Sequence, residues 1–298
     1  MGLFTIATRN NAKARIAMIG VTGSGKTLGA LYTAFGLAGD WGKVALIDTE
    51  RERARFYANR SDLETGEFLY APLGPPYSAE RYKEYVGEAA GLVGPDGCVI
   101  VDSFSHAWNN EGGVLEQKEK IASSGRPGMN SYTAWNEAGK IQNSLVNSIL
   151  SADCHIVVTM RSKMDYMLDE DEKGKMKPQK VGLAPIQRDD TEYEFDIIFD
   201  IDRSHKAHIT KNTSFLEAYG ERITPALGIS LRNWLDDGTE PPAAVKCEVC
   251  GKTIKPMLLN SGVTVSVGEI IAKSTGGYGK TACIQCCIAM KNAAKISA

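Results

Sequence analysis

The chain has 298 residues, 43% of them hydrophobic, and a formal charge of −2 at neutral pH, enough apolar material for one large domain with room for a small one. No stretch approaches the roughly 20 consecutive apolar residues of a bilayer span. The N-terminus has no leader-like apolar core, and Ile6 stands where a myristoylation signal needs Ser or Thr, so a cytoplasmic protein with no membrane partner is expected.

Apolar, β-branched runs recur at RIAMIG (15–20), KVALID (43–48), CVIVD (98–102), HIVVTM (155–160) and FDIIFDI (195–201), with helical spacing between the first four at 25–39, 78–93 and 131–151. Continuous apolar strands are buried on both faces. Their alternation with helices predicts an α/β fold with a central, mostly parallel sheet. Residues 161–182 carry an acidic block and then a basic one, and read as an exposed hairpin or loop. Residues 193–200 and 206–211 read as closing strands, and 221–237 as a last helical element. DGTEPPAAVK (237–246) has linker composition. The expected organisation is therefore a core over 1–236, a linker over 237–246 and a second unit over 247–298.

Between the first strand and the first helix lies GVTGSGKT, Gly20 to Thr27, which fits G-x-x-x-x-G-K-[ST]. Gly20, Gly23 and Gly25 permit backbone N–H groups to turn inward on phosphate oxygens, with Val21, Thr22 and Ser24 completing the loop. Lys26 would neutralise β and γ oxygens, Thr27 would ligate Mg²⁺, and the helix N-terminus would add partial positive charge. ATP and Mg²⁺ are the expected cofactors. Asp102, closing CVIVD, is the expected carboxylate that holds Mg²⁺ through water, a turn or helix cap being its alternative role. Asp48 and Glu50 follow the second strand. Hydrolysis needs a base or water-positioning group near the γ-phosphate; Glu50 suits it, with capping by Asp48 and a solvated Glu50 as the other reading.

The charge is unevenly spread: residues 247–298 hold six lysines against Glu248 and Glu269, leaving an acidic body. The same segment holds Cys247, Cys250, Cys283, Cys286 and Cys287. Two Cys-x2-Cys pairs in a reducing compartment predict a tetrahedral Zn²⁺ site of Cys247, Cys250, Cys283 and Cys286, with Cys287 able to replace Cys286. Four sulfurs leave no open position, so the ion is expected to be structural and the unit to serve recognition rather than catalysis, free or redox thiols being the alternative, and the unit is too poor in aromatics to fold readily without such a staple.

The order and spacing of GVTGSGKT, LIDTE, VIVDSFSHAW and IVVTMRSK resemble the RecA-like P-loop ATPases over residues 1–236, and more narrowly the AAA-type ATP-binding proteins encoded by bacteriophages for single-strand annealing and recombination. That resemblance implies Glu50 as the base that activates water, Asp102 as the Mg²⁺ partner with Ser103 beside it, and Arg161 or Thr159 as the γ-phosphate sensor. The family often has Gln at the sensor position. It further implies single-stranded DNA as partner, self-association into a ring or filament, and a single-strand DNA-binding protein as companion. Loops 109–131 and 161–182 would face the DNA, offering Lys118, Lys120, Arg126, Lys163, Lys173, Lys175, Lys177 and Lys180 to phosphates and Tyr166 to a base. Phe4 and Ala7 resemble a subunit-docking segment, an edge strand being the alternative. Arg188 is a candidate arginine acting across a subunit boundary, or a partner of Asp189 or Glu194. A helicase or loader motor, a nucleotide-switched binding module and a small-acceptor phosphotransferase are the competing functions.

Overall fold

The computed structural model describes residues 7–9, 12–170, 176–216, 218–237, 246–252, 254, 257–258, 264–265 and 267–296, of which 164–170, 176–183, 257–258, 264–265, 267–269, 272 and 292–296 are described by their backbone alone. The chain divides into a large compact unit, Asn11–Asp237, and a small one that contains the C-terminal cysteines.

In chain order the large unit runs β1 (Arg15–Gly20), α1 (Lys26–Ala38), β2 (Val44–Asp48), β3 (Leu69–Pro72), α2 (Ala79–Val93), β4 (Cys98–Asp102), α3 (His106–Asn109), α4 (Val114–Ala122), α5 (Ser131–Leu150), β5 (His155–Glu170), β6 (Met176–Pro185), β7 (Ile197–Ile201), β8 (Ala207–Asn212) and α6 (Pro225–Asp236). Its sheet has the order β3-β2-β4-β5-β1-β7-β8, with β6 paired to the far half of β5. The first six strands of that path are parallel, and β8 is antiparallel to β7. An α/β fold with a mostly parallel central sheet is therefore present.

The apolar runs form strands because each side chain has a core to enter. Along β1, Ile16 and Met18 pack on one face with Leu31, Leu37, Leu227 and Leu231, while Ala17 and Ile19 pack on the other with Tyr82, Val86, Leu145 and Ile149. That two-residue alternation puts α1 and α6 on one side and α2 and α5 on the other. Helices α1 and α6 touch backbone to backbone: a Cβ on Gly36 would lie 2.4 Å from the Pro225 carbonyl oxygen, and one on Gly228 2.2 Å from that of Thr33. At the other end of the sheet the Arg15 guanidinium donates to the carbonyls of Leu150 (2.8 Å), Ala152 and Cys154 (both 2.6 Å). It thereby satisfies carbonyls at the C-terminal end of α5 that the helix cannot pair itself.

The structure alters two expectations and decides a third between its alternatives. Residues 109–131 are not an open loop: α4 occupies their middle, its Val114 and Lys118 buried one helical turn apart. The charged stretch after residue 160 continues β5 and returns as β6, so it is a hairpin. The short strand β3 was not anticipated, since its LYAP sequence is exposed at both ends. Phe4, Lys173, Lys175, the side chains of Tyr166, Lys177 and Lys180, and residues 238–245 of the expected linker lie outside the described residues; Ala7 is exposed.

The small unit contains β9 (Met257–Leu258), β10 (Thr264–Val265), α7 (Val267–Tyr278) and α8 (Ile284–Ile296). Among the described residues its core is a cluster of Cys247, Ile254, Ile270 and Ala282. Among the described residues no helix is long and apolar enough to cross a membrane.

Candidate functional site

In a parallel sheet the strand order decides which C-terminal ends meet, and ligands bind in the crevice outside those ends. Here β1 ends at Gly20, β2 at Asp48 and β4 at Asp102. β5 runs between β1 and β4 with Arg161 beside Gly20 and Val158 beside Val101. One residue past that last pair, Asp102 meets Thr159.

The phosphate loop has the backbone its sequence predicts. Gly23 and Gly25 take φ of 82° and 92°, a region costly for side chains with a Cβ. A Cβ on Gly20 would strike the Ile201 carbonyl oxygen at 2.5 Å. Lys26 opens α1 and its Nζ donates to the carbonyls of Gly20 (2.9 Å) and Val21 (2.8 Å). Burial lowers its pKa, against the pull of Asp102 and Glu50. The Ser24 hydroxyl is buried without a hydrogen-bond partner.

Asp102 is buried and receives two hydroxyls, Thr27 Oγ1 on Oδ2 at 2.6 Å and Thr159 Oγ1 on Oδ1 at 2.5 Å. Burial raises its pKa despite both hydrogen bonds, and the negative charges of Glu50 and Asp48 push the same way. A buried carboxyl that repels its own ionisation and already touches Thr27 is an oxygen-rich environment that a hard divalent cation suits. Ser103, expected beside the nucleotide, turns away: its Oγ reaches the Thr159 carbonyl at 3.4 Å, accepts from Ser105 N, and is fully buried.

Asp48 holds the turn that carries Glu50. Its Oδ1 accepts from Glu50 N at 2.6 Å, and its Oδ2 from Ala54 N at 3.0 Å and from the Tyr70 hydroxyl at 3.2 Å. Arg51 and Glu52 then adopt φ near +60°, so the chain reverses directly after Glu50. The Glu50 carboxylate accepts from Arg161 Nε at 2.7 Å and from Arg161 Nη2, and lies 3.8 Å from His106 Nε2. Burial would raise the Glu50 pKa; the Arg161 hydrogen bonds and charge, helped by His106 and Lys26, outweigh it and hold the carboxyl below the usual range. His106 is itself lowered, chiefly by burial, and its Nδ1 contacts Thr49 Oγ1 at 2.8 Å.

Thr22, Gly23, Gly25, Lys26, Thr27, Glu50, Asp102 and Arg161 line one cleft of about 210 Å³. The structure thus brings together most of the residues expected from sequence, and adds Arg53 and Tyr57 to the lining. Those two lacked any motif. Both expected sensor positions sit at the site: Thr159 bonds Asp102 and Arg161 bonds Glu50. Arg188 lies elsewhere, its guanidinium donating to Asn143 Oδ1 at 2.9 Å in a polar pocket of about 320 Å³, and not paired to Asp189 or Glu194.

The cations expected to meet DNA from residues 109–131 are engaged internally. Lys118 is 6% exposed, bonds Glu119 and Ser131 at 2.8 Å each, and lies 5.1 Å from the Trp135 ring centroid. Lys120 pairs with Glu116, and Arg126 with Glu137 at 2.9 Å.

In the small unit the sulfurs of Cys247, Cys250, Cys283 and Cys286 all lie within 4.8 Å of one another. The Cys250 to Cys283 separation is 3.8 Å, the edge of a tetrahedron whose centre is about 2.3 Å from each sulfur. The donor set fits a metal ion. Cys287 points its thiol at the Ala282 carbonyl instead, which favours Cys286 as the fourth ligand.

A glycine-turned phosphate loop at the end of a central parallel strand, with Lys, Thr and a buried Asp around it, defines a P-loop nucleotide-binding α/β domain. Residues 12–223 match the family described as AAA domain, and the chain belongs to that family; it is an AAA-type ATPase domain, a class that binds and hydrolyses nucleotide. No curated protein matches the chain.

Proposed function

We propose that the protein is a Mg²⁺-dependent ATPase that acts on single-stranded DNA in recombination, annealing or strand exchange, in the cytoplasm of a bacterial host and as a self-associating assembly. The observation that carries the ATPase reading is the convergence of Lys26, Thr27, Glu50 and Asp102 on one cleft at the strand ends. Support for DNA as partner is the resemblance of the motif order to RecA-like ATPases encoded by bacteriophages, together with the basic C-terminus.

In the proposed reaction a water oxygen bonds to the γ-phosphorus while the bridging oxygen to the β-phosphate leaves with ADP. Lys26 and the loop N–H groups bind the phosphates and offset their charge, and Glu50 accepts the proton from water. Thr27 and Asp102 would hold Mg²⁺, which supplies further charge neutralisation when bound. Arg161 orients Glu50. The four-cysteine cluster would hold Zn²⁺ as a structural ion.

One observation favours a second reading. Arg161 keeps the Glu50 pKa below its ordinary value, and a weakened base suits a nucleotide-switched module with slow turnover. Steady-state ATP hydrolysis with and without single-stranded DNA, with Lys26→Ala as the contamination control, separates the two. Stimulation by DNA and loss of turnover in Lys26→Ala are expected. Turnover that Lys26→Ala leaves intact would end the ATPase assignment, and turnover indifferent to DNA would end the DNA-coupled one.

A further inference from the structure

A polyanion needs cations that no neighbouring carboxylate has already neutralised. In the large unit the three cations of residues 109–131 are each committed to an acid. The small unit differs. Lys246, Lys252, Lys273, Lys280 and Lys291 are all exposed, and among the described residues none forms an ion pair. Glu248, exposed among them in sequence, has its Oε2 engaged by the Thr281 N–H at 3.1 Å and pairs with none of these lysines among the described residues.

Backbone pairing brings several of these lysines to one end of the unit. Cys247 N donates to the Lys252 carbonyl at 2.8 Å, closing the first cysteine turn with Lys246 and Lys252 at its two ends. Glu248 N donates to the Thr281 carbonyl at 2.9 Å, laying that turn beside Lys280. On this end two apolar side chains face solvent: Val249 at the tip of the turn, 48% exposed, and Tyr278 at the end of α7, 37% exposed. Tyr278 is flanked by Gly276, Gly277 and Gly279. Among the described residues, a Cβ added at any of the three would meet nothing within 4 Å beyond its own chain neighbours and helix backbone, so no bulky side chain stands beside Tyr278 in sequence.

We propose that this end of the cysteine unit is a binding surface for single-stranded nucleic acid, with Lys246, Lys252 and Lys280 contacting phosphates and Tyr278 stacking on a base. An acidic protein segment would satisfy the lysines alone. A partly exposed aromatic ring adds what an unpaired base requires, a flat surface to stack on. The inference deepens the single-strand reading above by naming the surface that holds the strand.

The test is fluorescence anisotropy of a labelled oligo-dT of about 30 nucleotides with the full chain, between about 50 and 200 mM salt, with zinc content and ATP hydrolysis measured on the same samples. Lys252→Glu combined with Lys280→Glu is expected to weaken binding at least about 30-fold and to flatten the salt slope by about 1.4, the loss of two phosphate contacts. Tyr278→Ala should cost about tenfold with the salt slope unchanged. Lys120→Glu combined with Arg126→Glu should change affinity by less than about threefold. A full zinc complement in the variants shows that they have folded, and Lys280→Glu alone is the milder substitute if the double variant loses metal. The proposal is overturned if the large-unit pair weakens binding and the small-unit pair does not, or if polyglutamate of equal charge competes as well as oligo-dT. It is also overturned if the intact chain hydrolyses ATP but binds no oligo-dT, an outcome that leaves the ATPase reading standing.

Discussion

The nucleotide cleft stands on a sheet backed by hydrophobic clusters of 24 and 21 buried residues on its two faces, whereas among the described residues the four sulfurs of the small unit are backed by a cluster of four, one of them Cys247 itself. Geometry in the first comes from strand register. Asp102 meets Thr159 and Gly20 lies beside Arg161 because β5 packs between β4 and β1, and no ligand is needed to bring them together. With the Zn²⁺ proposed above, the small unit would rest on a bond the large one does without, from sulfur to metal. The general lesson concerns where a site's precision comes from: in the large unit from the fold, in the small unit, on the proposed reading, from the ion its four sulfurs would hold.

Metal removal is the largest effect this comparison predicts. A structural zinc site is worth on the order of 10 kcal/mol of folding free energy, so a zinc-selective chelator should unfold residues 246–296 completely. Limited proteolysis of the full chain should then cut within that segment, and helical circular dichroism should fall by the share of α7 and α8. ATP hydrolysis, assayed after Mg²⁺ is restored, should persist. A segment that stays protease-resistant without metal would break the comparison, because its small core would then be sufficient.

Next in size is Glu50→Gln. Removing a general base typically costs about 10²- to 10⁴-fold in rate, and the amide still accepts a hydrogen bond from Arg161. Turnover should collapse while ATP affinity, measured by equilibrium binding, stays within a few-fold. Unchanged turnover would transfer the base role elsewhere and leave Glu50 as the anchor of Arg161.

Much of the large unit was legible in its sequence because both faces of its strands are buried, and β-branched runs announce that directly. GVTGSGKT declared the phosphate loop, and Glu50, just past VALID, with Asp102, closing CVIVD, declared the acids of the cleft. What was not legible depended on register or on partners distant in sequence. Arg161 read as a sensor of phosphate, but its pairing with Glu50, 111 residues away, required the order of three strands. Ser103 read as a cofactor contact from its place beside Asp102, yet the chain turns it into the core. The helix α4 was overlooked although Val114, Lys118 and Ile121 keep a helical interval; the glycines on either side of it and the polar residues on its outer face suggested a loop. Lys118 was misread most fully, since nothing in a sequence tells that a lysine will lie over a tryptophan.

The smallest effect lies at the end of the sheet farthest along the strands from the cleft. His155 begins β5, is 7% exposed, and its Nδ1 accepts the Ala14 N–H at 3.0 Å. Burial, with Lys13 and Arg15 nearby, lowers its pKa from 6.5 to about 4. A histidine depressed in this way is neutral in both folded and unfolded chains above pH about 6.5, so its contribution to stability is complete there. Below that value the unfolded chain gains a proton that the folded one refuses until pH about 4, and stability falls throughout the interval. At pH 5 the loss from this one group is about 2 kcal/mol. His155→Gln keeps an acceptor for Ala14 N–H but does not titrate. Urea unfolding of the large unit at pH 8 and pH 5 should show the variant losing about 2 kcal/mol less than the wild type. Equal losses would mean that titrating groups other than His155 carry the acid sensitivity of the large unit.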